Sequence, residues 1–239
     1  MHPGSIPGEA SNKFLKALSM VDFAQARRTM VDGQLRTFDV NDMPLLDAMD
    51  NVPRELFVLP GRQDLAYIDQ DILVSDSADR RYMLSPMVLG RLIQALGIDA
   101  GEKVLDVACG RGYASAVFHR LGAQVTALEA DEALAADARQ SLSAAGAAGV
   151  TVVTGPLEQG YAGNGPYDAI LINGSVDLRP DALLAQLAEG GRLVCVKGRG
   201  RAARATLYVR SGDAFGERSL FEAAAPLLTP FVQTPGFTF

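Results

Sequence analysis

The sequence predicts an α/β fold built on a central, mostly parallel sheet with an antiparallel end. From Lys103 onward, short apolar runs alternate with helical segments, a pattern typical of parallel strands that are buried on both faces. Two later strands follow each other without an intervening helix, which predicts antiparallel pairing. The expected strands of this seven-stranded sheet cover residues 104–107, 124–128, 150–153, 167–172, 191–196, 205–210 and 219–228.

Helices are expected before and between these strands. Apolar residues at helical spacing predict two helical stretches between residues 22 and 49, separated by a turn over 37–42 that ends in an N-cap, with Pro44 near the first helical position. Val52-Pro53 ends the second stretch, because proline disfavours the helical region for the residue before it. Residues 60–81 are polar and loop-like. The remaining helices are expected over 86–96, 113–121, 132–145 and 181–188.

The composition indicates a globular protein. The chain has 239 residues and a net charge of −6, with 48% hydrophobic and 21% charged residues, which is enough to fill a substantial core. No apolar run reaches the roughly 18 residues that span a bilayer, so we expect no membrane association, no signal peptide and a cytoplasmic location. The acidic charge makes nucleic acid an unexpected partner. Cys109 and Cys195 lack metal-ligand spacing, and we expect reduced thiols and no bound metal.

A run of small residues follows the first predicted strand and directly precedes a helix. It reads Asp106-Val107-Ala108-Cys109-Gly110-Arg111-Gly112, and such a loop lets the backbone approach a ligand at a helix N-terminus. The dinucleotide pattern GxGxxG fails, because Ser115 stands where its third glycine belongs. The pattern (D/E)xGxGxG, typical of S-adenosylmethionine enzymes, fits with Ala108 in place of the first glycine. Asp106 can then receive the ammonium group of the methionine moiety, directly or through water.

A second carboxylate supports an adenosyl cofactor. Glu129 ends the second strand, 23 residues after Asp106, near the spacing at which an acidic side chain reaches a ribose diol. Both ribose hydroxyls can donate to one carboxylate, which explains an acid at this position. The alternative is that the two acids are solvated strand ends around a glycine turn, and Asn173 either lines the same pocket or only ends its strand. The cofactor residues expected here are Asp106, Ala108, Cys109, Gly110, Gly112, Glu129, Ala130 and Asn173.

Several motifs, in the same order along the chain, resemble those of the protein-L-isoaspartate O-methyltransferase family. The most specific is residues 52–58, VPRELFV, which is similar to the family's VPRxxFV and is lacking in generic methyltransferases. The resemblance covers about residues 28–230. The other matching segments are 30–35 to MVxxQL, 66–69 to AYxD, 112–117 to GYxxAxL and 187–194 to LxxGGRLV.

The resemblance implies a Rossmann-like class I S-adenosylmethionine-dependent methyltransferase that methylates the stray carboxylate of isoaspartyl residues in damaged proteins. The family's active-site serine, in Thr-Ile-Ser-x-Pro, aligns with Leu84, and Ser85 lies one position later. Ser85 is therefore the catalytic candidate, with helix capping as its alternative role. The family's Gly-Asp-Gly beside the adenine is here Gly155-Pro156-Leu157, and we expect Pro156 and Leu157 at the cofactor. Either backbone groups do the work of the missing aspartate, or adenine binding is weaker. By the same resemblance, Tyr67 and Asp69 are expected to shape the substrate mouth, and Leu84 is expected at the substrate site.

We expect residues 1–19 to form a flexible extension and residues 20–239 a single methyltransferase domain. In that domain, residues 20–100 form a helical substrate cap and residues 101–239 the cofactor-binding core. The expected partners are isoaspartyl-containing proteins or peptides, and the expected assembly is a monomer or a weak homodimer.

Other chemistries lack the residues that they need. His2 and His119 are the only histidines, which argues against a Ser-His-Asp hydrolase or a histidine-based metal enzyme. A carboxylate with a pKa of about 4 is ionised at neutral pH, so its methylation needs no general base. Residues 173–176 also lack the Asn/Asp-Pro-Pro-Tyr of amino-methylating DNA enzymes. The alternatives left open are a cofactor-binding protein that has lost isoaspartyl activity and acts in regulation, a methyltransferase for another acceptor, and a dehydrogenase, which NAD binding tests.

Overall fold

A computed structural model describes residues 21–75 and 77–232, so the expected extension over residues 1–19 lies outside the described residues. Seven strands of this part form one sheet in the order β5-β4-β3-β6-β7-β8-β9, and a two-stranded hairpin, β1-β2, lies apart from it. The strands are β1 (Ile72–Leu73), β2 (Tyr82–Met83), β3 (Lys103–Val107), β4 (Gln124–Glu129), β5 (Thr151–Thr154), β6 (Tyr167–Val176), β7 (Leu187–Lys197), β8 (Arg204–Ser211) and β9 (Ala214–Glu222).

The sheet has the pairing that the sequence predicted. Strands β3 to β7 run parallel to one another. Strands β8 and β9 then run antiparallel to the strand before them. The prediction of a mostly parallel seven-stranded sheet with an antiparallel C-terminal end is confirmed.

The helices follow the predicted pattern closely. The side chain of Asp42 accepts a hydrogen bond from the backbone N–H of Leu45 at 2.9 Å, with Pro44 in the first turn, which confirms the predicted N-cap. None of the helices in the described ranges combines the length and the apolar character that crossing a bilayer requires. The α-helices are α1 (Phe23–Met30), which continues into a π-helical turn over Val31–Leu35, α2 (Met43–Asn51), α3 (Pro86–Leu96), α4 (Tyr113–Arg120), α5 (Glu132–Ala144) and α6 (Asp181–Leu184).

The helix predicted over 181–188 is wrong in length. Helix α6 spans four residues, because the chain enters β7 at Leu187. Leu187 is fully buried and pairs with Tyr167 of β6, so sheet pairing ends the helix early.

The strand predicted over 219–228 is also misplaced, since β9 ends at Glu222. Gly212 has a φ of +60°, which allows a tight turn directly after Ser211, and Ser211 pairs with Ala214. The turn therefore sets the register of β9 from its first residue. The prediction of a loop over 60–81 is wrong at Ile72–Leu73, which form strand β1 because Ile72 pairs with Met83 in a short hairpin.

The strands are buried on both faces. Val104 and Leu105, adjacent on β3, are both 0% exposed but belong to two separate apolar clusters. Helices α3, α4 and α5 contribute to the cluster that contains Val104. Helix α6 and the segments around Leu157 and Leu228 contribute to the other cluster. Because adjacent strand residues point to opposite faces, the two clusters cover the two sides of the sheet, as the apolar strand sequences predicted.

Arg54, in the VPR segment, joins two parts of the N-terminal region to a helix of the core. Its side chain is 0% exposed, its Nε donates to the carbonyl of Ala66 at 2.7 Å, and its Nη2 donates to the carbonyl of Leu84 at 2.6 Å. The guanidinium lies 4.6 Å from the ring centroid of Tyr113, at the start of α4. One buried cation thus connects the chain before β1, the chain after β2 and the core helix α4.

We expect Arg54→Met to lower the free energy of unfolding by about 3 kcal/mol, because two buried carbonyls lose their donors. The matched control is Arg62→Met, at an exposed position, which should change stability by less than about 0.5 kcal/mol. Urea unfolding followed by circular dichroism measures both values. Equal stability of the two variants contradicts the structural role of Arg54.

Candidate functional site

The strand order of the main sheet reverses at β3, which has β4 on one side and β6 on the other. In open α/β sheets, ligands bind beyond the carboxyl ends of the strands at such a switch point. Strand β3 ends at Val107, directly after Asp106, and β4 ends at Glu129. Asn173 follows Ile172, which pairs with Val107. The parallel register therefore brings Asp106, Glu129 and Asn173 to one edge of the sheet.

The loop after β3 has a backbone that suits glycine. Gly110 has a φ of +58° and Gly112 a φ of +93°. A Cβ atom on Gly110 would lie 3.3 Å from Cγ2 of Val74, and one on Gly112 would lie 3.0 Å from Cγ of Leu142. Ala108 also lies in the left-handed region, with a φ of 59°, at the position where the S-adenosylmethionine pattern has its first glycine. The loop therefore keeps at Ala108 the left-handed backbone conformation that favours glycine, although the residue is alanine.

Asp106 is 0% exposed and accepts hydrogen bonds from the hydroxyl of Ser115 and from Nδ2 of Asn173. Burial raises the pKa of Asp106 to about 7, although both hydrogen bonds oppose the rise and the nearby charge of Glu129 adds to it. Asp106 is therefore a carboxyl group that exchanges its proton near neutral pH. Asn173, which the sequence placed either in the pocket or at a strand end, orients this carboxylate.

Glu129 is also 0% exposed and accepts hydrogen bonds from four donors. Its Oε1 accepts from the backbone N–H of Ala130 at 2.8 Å and of Asp131 at 3.4 Å. Its Oε2 accepts from the backbone N–H of Gly110 at 3.1 Å, so the glycine loop is tied to the end of β4. The alternative that the two acids are solvated strand ends is wrong, because both side chains are buried.

The fourth donor is Arg81, which sequence reasoning missed. Its Nε lies 3.1 Å from Oε1 of Glu129, and the side chains of the two residues are 3% and 0% exposed. Its Nη1 donates to the carbonyls of Asp79 at 3.2 Å and of Arg80 at 3.5 Å. The only signal in the sequence is a pair of arginines before β2. The spatial partner of the second arginine is 48 residues away, so no local pattern reveals it.

A narrow cavity of about 10 Å³ separates the glycine loop from residues 82–84. Leu84, Cys109, Gly110 and Asn173 are among the residues that line it, so the structure brings these four predicted site residues together. Ligand pockets are generally about 300 Å³ or larger, whereas this cavity has room for about one water molecule. An adenosyl ligand at this loop therefore requires its neighbours to move.

Ser85 stands at the N-cap position of α3, but its side chain makes no capping hydrogen bond, so the capping alternative is wrong. Two aspartates act there instead. Oδ1 of Asp71 accepts from the backbone N–H of Ser85 at 2.9 Å, and Oδ1 of Asp69 accepts from that of Met87 at 3.2 Å. Ser85 is buried and is not among the residues that line the narrow cavity. Its catalytic role stays a prediction.

Tyr67 is held by a polar cluster in the N-terminal region. Its hydroxyl donates to Oε2 of Glu55 and accepts from Nε of Arg27 at 3.1 Å, while its backbone carbonyl accepts from Gln34 at 2.8 Å. Burial is the largest cause of a raised pKa of Tyr67, and the hydrogen bond to Glu55 is the next largest. The phenol therefore stays protonated at neutral pH. Its predicted place at the substrate mouth stays a prediction.

The segment after β5 approaches the end of β4 through its backbone. The N–H of Gly155 donates to the carbonyl of Glu129 at 3.0 Å. Pro156 is exposed, whereas Leu157 is 0% exposed and packs in the core cluster with Leu128. Leu157 therefore packs in the core beneath the end of β4 and is not open to a ligand. Ala130 and Pro156 are the exposed residues beside the end of β4.

The thiol of Cys109 is buried in the loop, and burial raises its pKa well above the usual value. The thiol therefore stays protonated, which fits a packed loop residue. A larger cavity, of about 580 Å³, lies at the opposite edge of the sheet beside Lys103 and Gln124, where β3 and β4 begin. The half-buried His119 lines that cavity and is remote from the glycine loop in the fold.

This fold and site define a Rossmann-like class I S-adenosylmethionine-dependent methyltransferase. A family model described as protein-L-isoaspartate(D-aspartate) O-methyltransferase matches residues 27–223. The chain belongs to the protein-L-isoaspartate O-methyltransferase family, whose cofactor is S-adenosylmethionine. The resemblance inferred from the motifs is thereby confirmed.

Individual relatives agree with the family match. A protein-L-isoaspartate O-methyltransferase of Koribacter versatilis is 37% identical, over 73% of this chain and 78% of the relative. One of Roseiflexus castenholzii is also 37% identical, over 81% of this chain and 87% of the relative.

Two solved structures share the fold. One, named protein-L-isoaspartate O-methyltransferase, has a TM-score of 0.75 at 23% identity, and the match covers 84% of this chain and 65% of the chain in that structure. The other is a Plasmodium falciparum structure, described as a β-aspartate methyltransferase in complex with S-adenosyl-L-homocysteine. It has a TM-score of 0.68 at 18% identity, and the match covers 85% of this chain and 98% of the chain in that structure.

We expect Ala108→Gly to raise the free energy of unfolding by about 1 kcal/mol, because alanine in the left-handed region is strained and glycine is not. Ala114→Gly, inside α4, should do the opposite and lower stability by about 1 kcal/mol. Chemical denaturation of both variants measures the difference. A loss of stability in both variants contradicts the strain at Ala108.

We expect Asp106→Asn to remove a pH dependence of stability. In an unfolded chain the carboxyl ionises near pH 4, whereas in the folded protein it keeps its proton up to about pH 7. Its contribution to folding is therefore complete below pH 4 and is lost as the pH rises toward 7. Relative to the wild type, the variant should gain about 3 kcal/mol between pH 5 and pH 8. Urea unfolding at several pH values tests this, and parallel curves for the two proteins contradict it.

Proposed function

We propose that this chain transfers the methyl group of S-adenosylmethionine to the free carboxylate of isoaspartyl residues in damaged proteins. The observation that carries the proposal is the pair of buried carboxylates, Asp106 and Glu129, on either side of a glycine-type loop. They lie at the switch point of the sheet, in a chain of this family. The names of the relatives, which refer to isoaspartate, supply the class of acceptor.

The residues of the loop fit the cofactor. Gly110 leaves the loop backbone open to a ligand, because a side chain at this position would crowd Val74. Asp106 provides a carboxylate for the ammonium group. Glu129 would accept from the ribose diol, and the backbone near Ala130 and Pro156 would face the adenine. When bound, S-adenosylmethionine supplies an electrophilic methyl group on a sulfonium. Asn173 holds Asp106 in place for the ammonium.

The acceptor needs orientation more than activation. A carboxylate is ionised at neutral pH, so the protein has no proton to remove from it. The chain has to hold one carboxylate oxygen in line with the methyl group and exclude water, which provides the advantage of proximity. Apolar side chains such as Met83 and Leu84 border the narrow cavity and suit the exclusion of water. Ser85 and Tyr67 are our candidates for contact with the substrate.

The finer organisation follows from this assignment. Residues 20–100 serve as the substrate cap and residues 101–239 as the cofactor-binding core. The partners are isoaspartyl-containing proteins or peptides, and neither nucleic acid nor a membrane is required. The protein acts in the cytoplasm as a monomer or a weak homodimer.

The test is methyl transfer to a synthetic peptide that contains an L-isoaspartyl residue. The protein, with labelled S-adenosylmethionine, should form a base-labile methyl ester on this peptide and none on the same sequence with L-aspartate. Asp106→Asn should lower the yield about tenfold or more, because the ammonium group loses a charged acceptor.

The matched control is Asp213→Asn, in the exposed turn between β8 and β9, which should stay within about twofold of the wild type. Circular dichroism establishes that all three proteins are folded. Folded wild-type protein that makes no more ester than Asp106→Asn refutes isoaspartyl methylation. Ester formation on a different acceptor only would redirect the assignment.

A further inference from the structure

Oε1 of Glu129 has no acceptor capacity to spare while Arg81 contacts it. A carboxylate offers about four lone-pair sites. Four donors already reach Glu129: the backbone N–H groups of Gly110, Ala130 and Asp131, and Nε of Arg81. A ribose diol brings two further donors. Oε2 accepts only from Gly110 and can take one hydroxyl, whereas the second hydroxyl needs Oε1, where three donors already meet. Without Arg81, Oε1 keeps the bond from Ala130 at 2.8 Å and only a long contact from Asp131 at 3.4 Å, which leaves room for that hydroxyl.

Arg81 is the donor that can leave. The other three are backbone groups of the glycine loop and of the residues that follow β4, and their positions are set by the sheet. Arg81 is a side chain, and its remaining hydrogen bonds go to Asp79 and Arg80 in its own segment. The guanidinium can therefore rotate off Glu129 without breaking the main sheet.

The exchange is also balanced in charge. A buried carboxylate is strongly destabilising when its cationic partner is removed and nothing replaces it. The two ribose hydroxyls restore the hydrogen bonds, and the sulfonium and ammonium groups of the cofactor bring positive charge to the same edge of the sheet. Arg81 thus does for Glu129 what the cofactor does when it is bound.

We propose that Arg81 and the ribose of the cofactor compete for Glu129, so that Arg81 sets the affinity for S-adenosylmethionine and its demethylated product. This inference rests on the proposed ribose-binding role of Glu129. Part of the intrinsic binding free energy is used to displace Arg81, which lowers the apparent affinity of the wild-type protein. Arg81 is a positioning residue here, because it acts through Glu129.

The first test is calorimetric titration of the full chain with S-adenosylhomocysteine. Arg81→Met should bind about tenfold more tightly than the wild type, because no cation has to be displaced. The matched control is Arg80→Met, which removes the same charge from the neighbouring exposed position and should bind like the wild type. Wild-type binding with no gain in affinity for folded Arg81→Met overturns the competition.

The second test needs no variant of the site and remains available if Arg81→Met is unstable. In protein labelled with ¹⁵N-arginine, the Nε–H signal of Arg81 should shift and exchange faster with solvent when S-adenosylhomocysteine is added. The Nε–H of Arg192, which donates to the carbonyl of Leu96 at 2.7 Å and does not line the narrow cavity, serves as the internal control and should not change. A protected Arg81 signal that persists at saturation refutes the displacement.

The two proposals fail in different ways. If the wild-type protein releases no heat with S-adenosylhomocysteine and both arginine signals stay in place, the cofactor site itself is wrong. If the wild type binds and only the Arg81 results fail, the methyltransferase assignment stands and the competition is wrong.

Discussion

Two carboxylates buried at the ends of adjacent parallel strands are the constraint on which the rest of this site depends. Asp106 and Glu129 are both 0% exposed, and each must be compensated where it stands. Asp106 is compensated by neutral donors, Ser115 and Asn173, and burial still raises its pKa to about 7. Glu129 is compensated by three backbone N–H groups and by the cation of Arg81. The loop geometry follows, since Gly110 must point its N–H at Glu129.

The sheet and the loop were predictable because their signals are local. Strands that are covered on both faces need continuous apolar runs, and the turn after β3 needs small residues. Both features are therefore visible in a few consecutive residues of the sequence. Parallel register then brings the ends of neighbouring strands together, which placed Asp106, Glu129 and Asn173 at one edge. Arg81 was not predictable, because its role depends on a partner 48 residues away. The early end of α6 likewise depends on the pairing of Leu187 with Tyr167, which no local propensity encodes.

The arginines of two motifs that identify the family hold parts of the fold together. The arginine of VPRELFV is Arg54, which binds two carbonyls of the N-terminal region. The arginine of LAEGGRLV is Arg192, which donates to the carbonyls of Leu96 and Gly97 at the end of α3 and pairs with Glu102 at 2.7 Å. Arg54 connects two segments of the N-terminal region to Tyr113 of helix α4, whereas Arg192 connects the end of α3 to strand β7. Neither side chain hydrogen-bonds to the glycine loop. The motifs therefore indicate how the two regions are joined, whereas the carboxylates of the proposed site lie at the strand ends.

We propose that Leu84 occupies the position of the family's active-site serine, in a segment whose backbone is held by Arg54. Leu84 is 1% exposed, and its carbonyl is the acceptor for Arg54, so its backbone position is set by a buried cation. A hydroxyl at this position would offer a hydrogen bond to the acceptor carboxylate, and a leucine side chain cannot. Because the carboxylate is already ionised, the loss removes an orienting contact and not a proton acceptor. The nearest hydroxyl along the chain is that of Ser85, whose backbone N–H is held by Asp71. The cost of the substitution should therefore appear in how well the acceptor is held, while the cofactor half of the site remains intact.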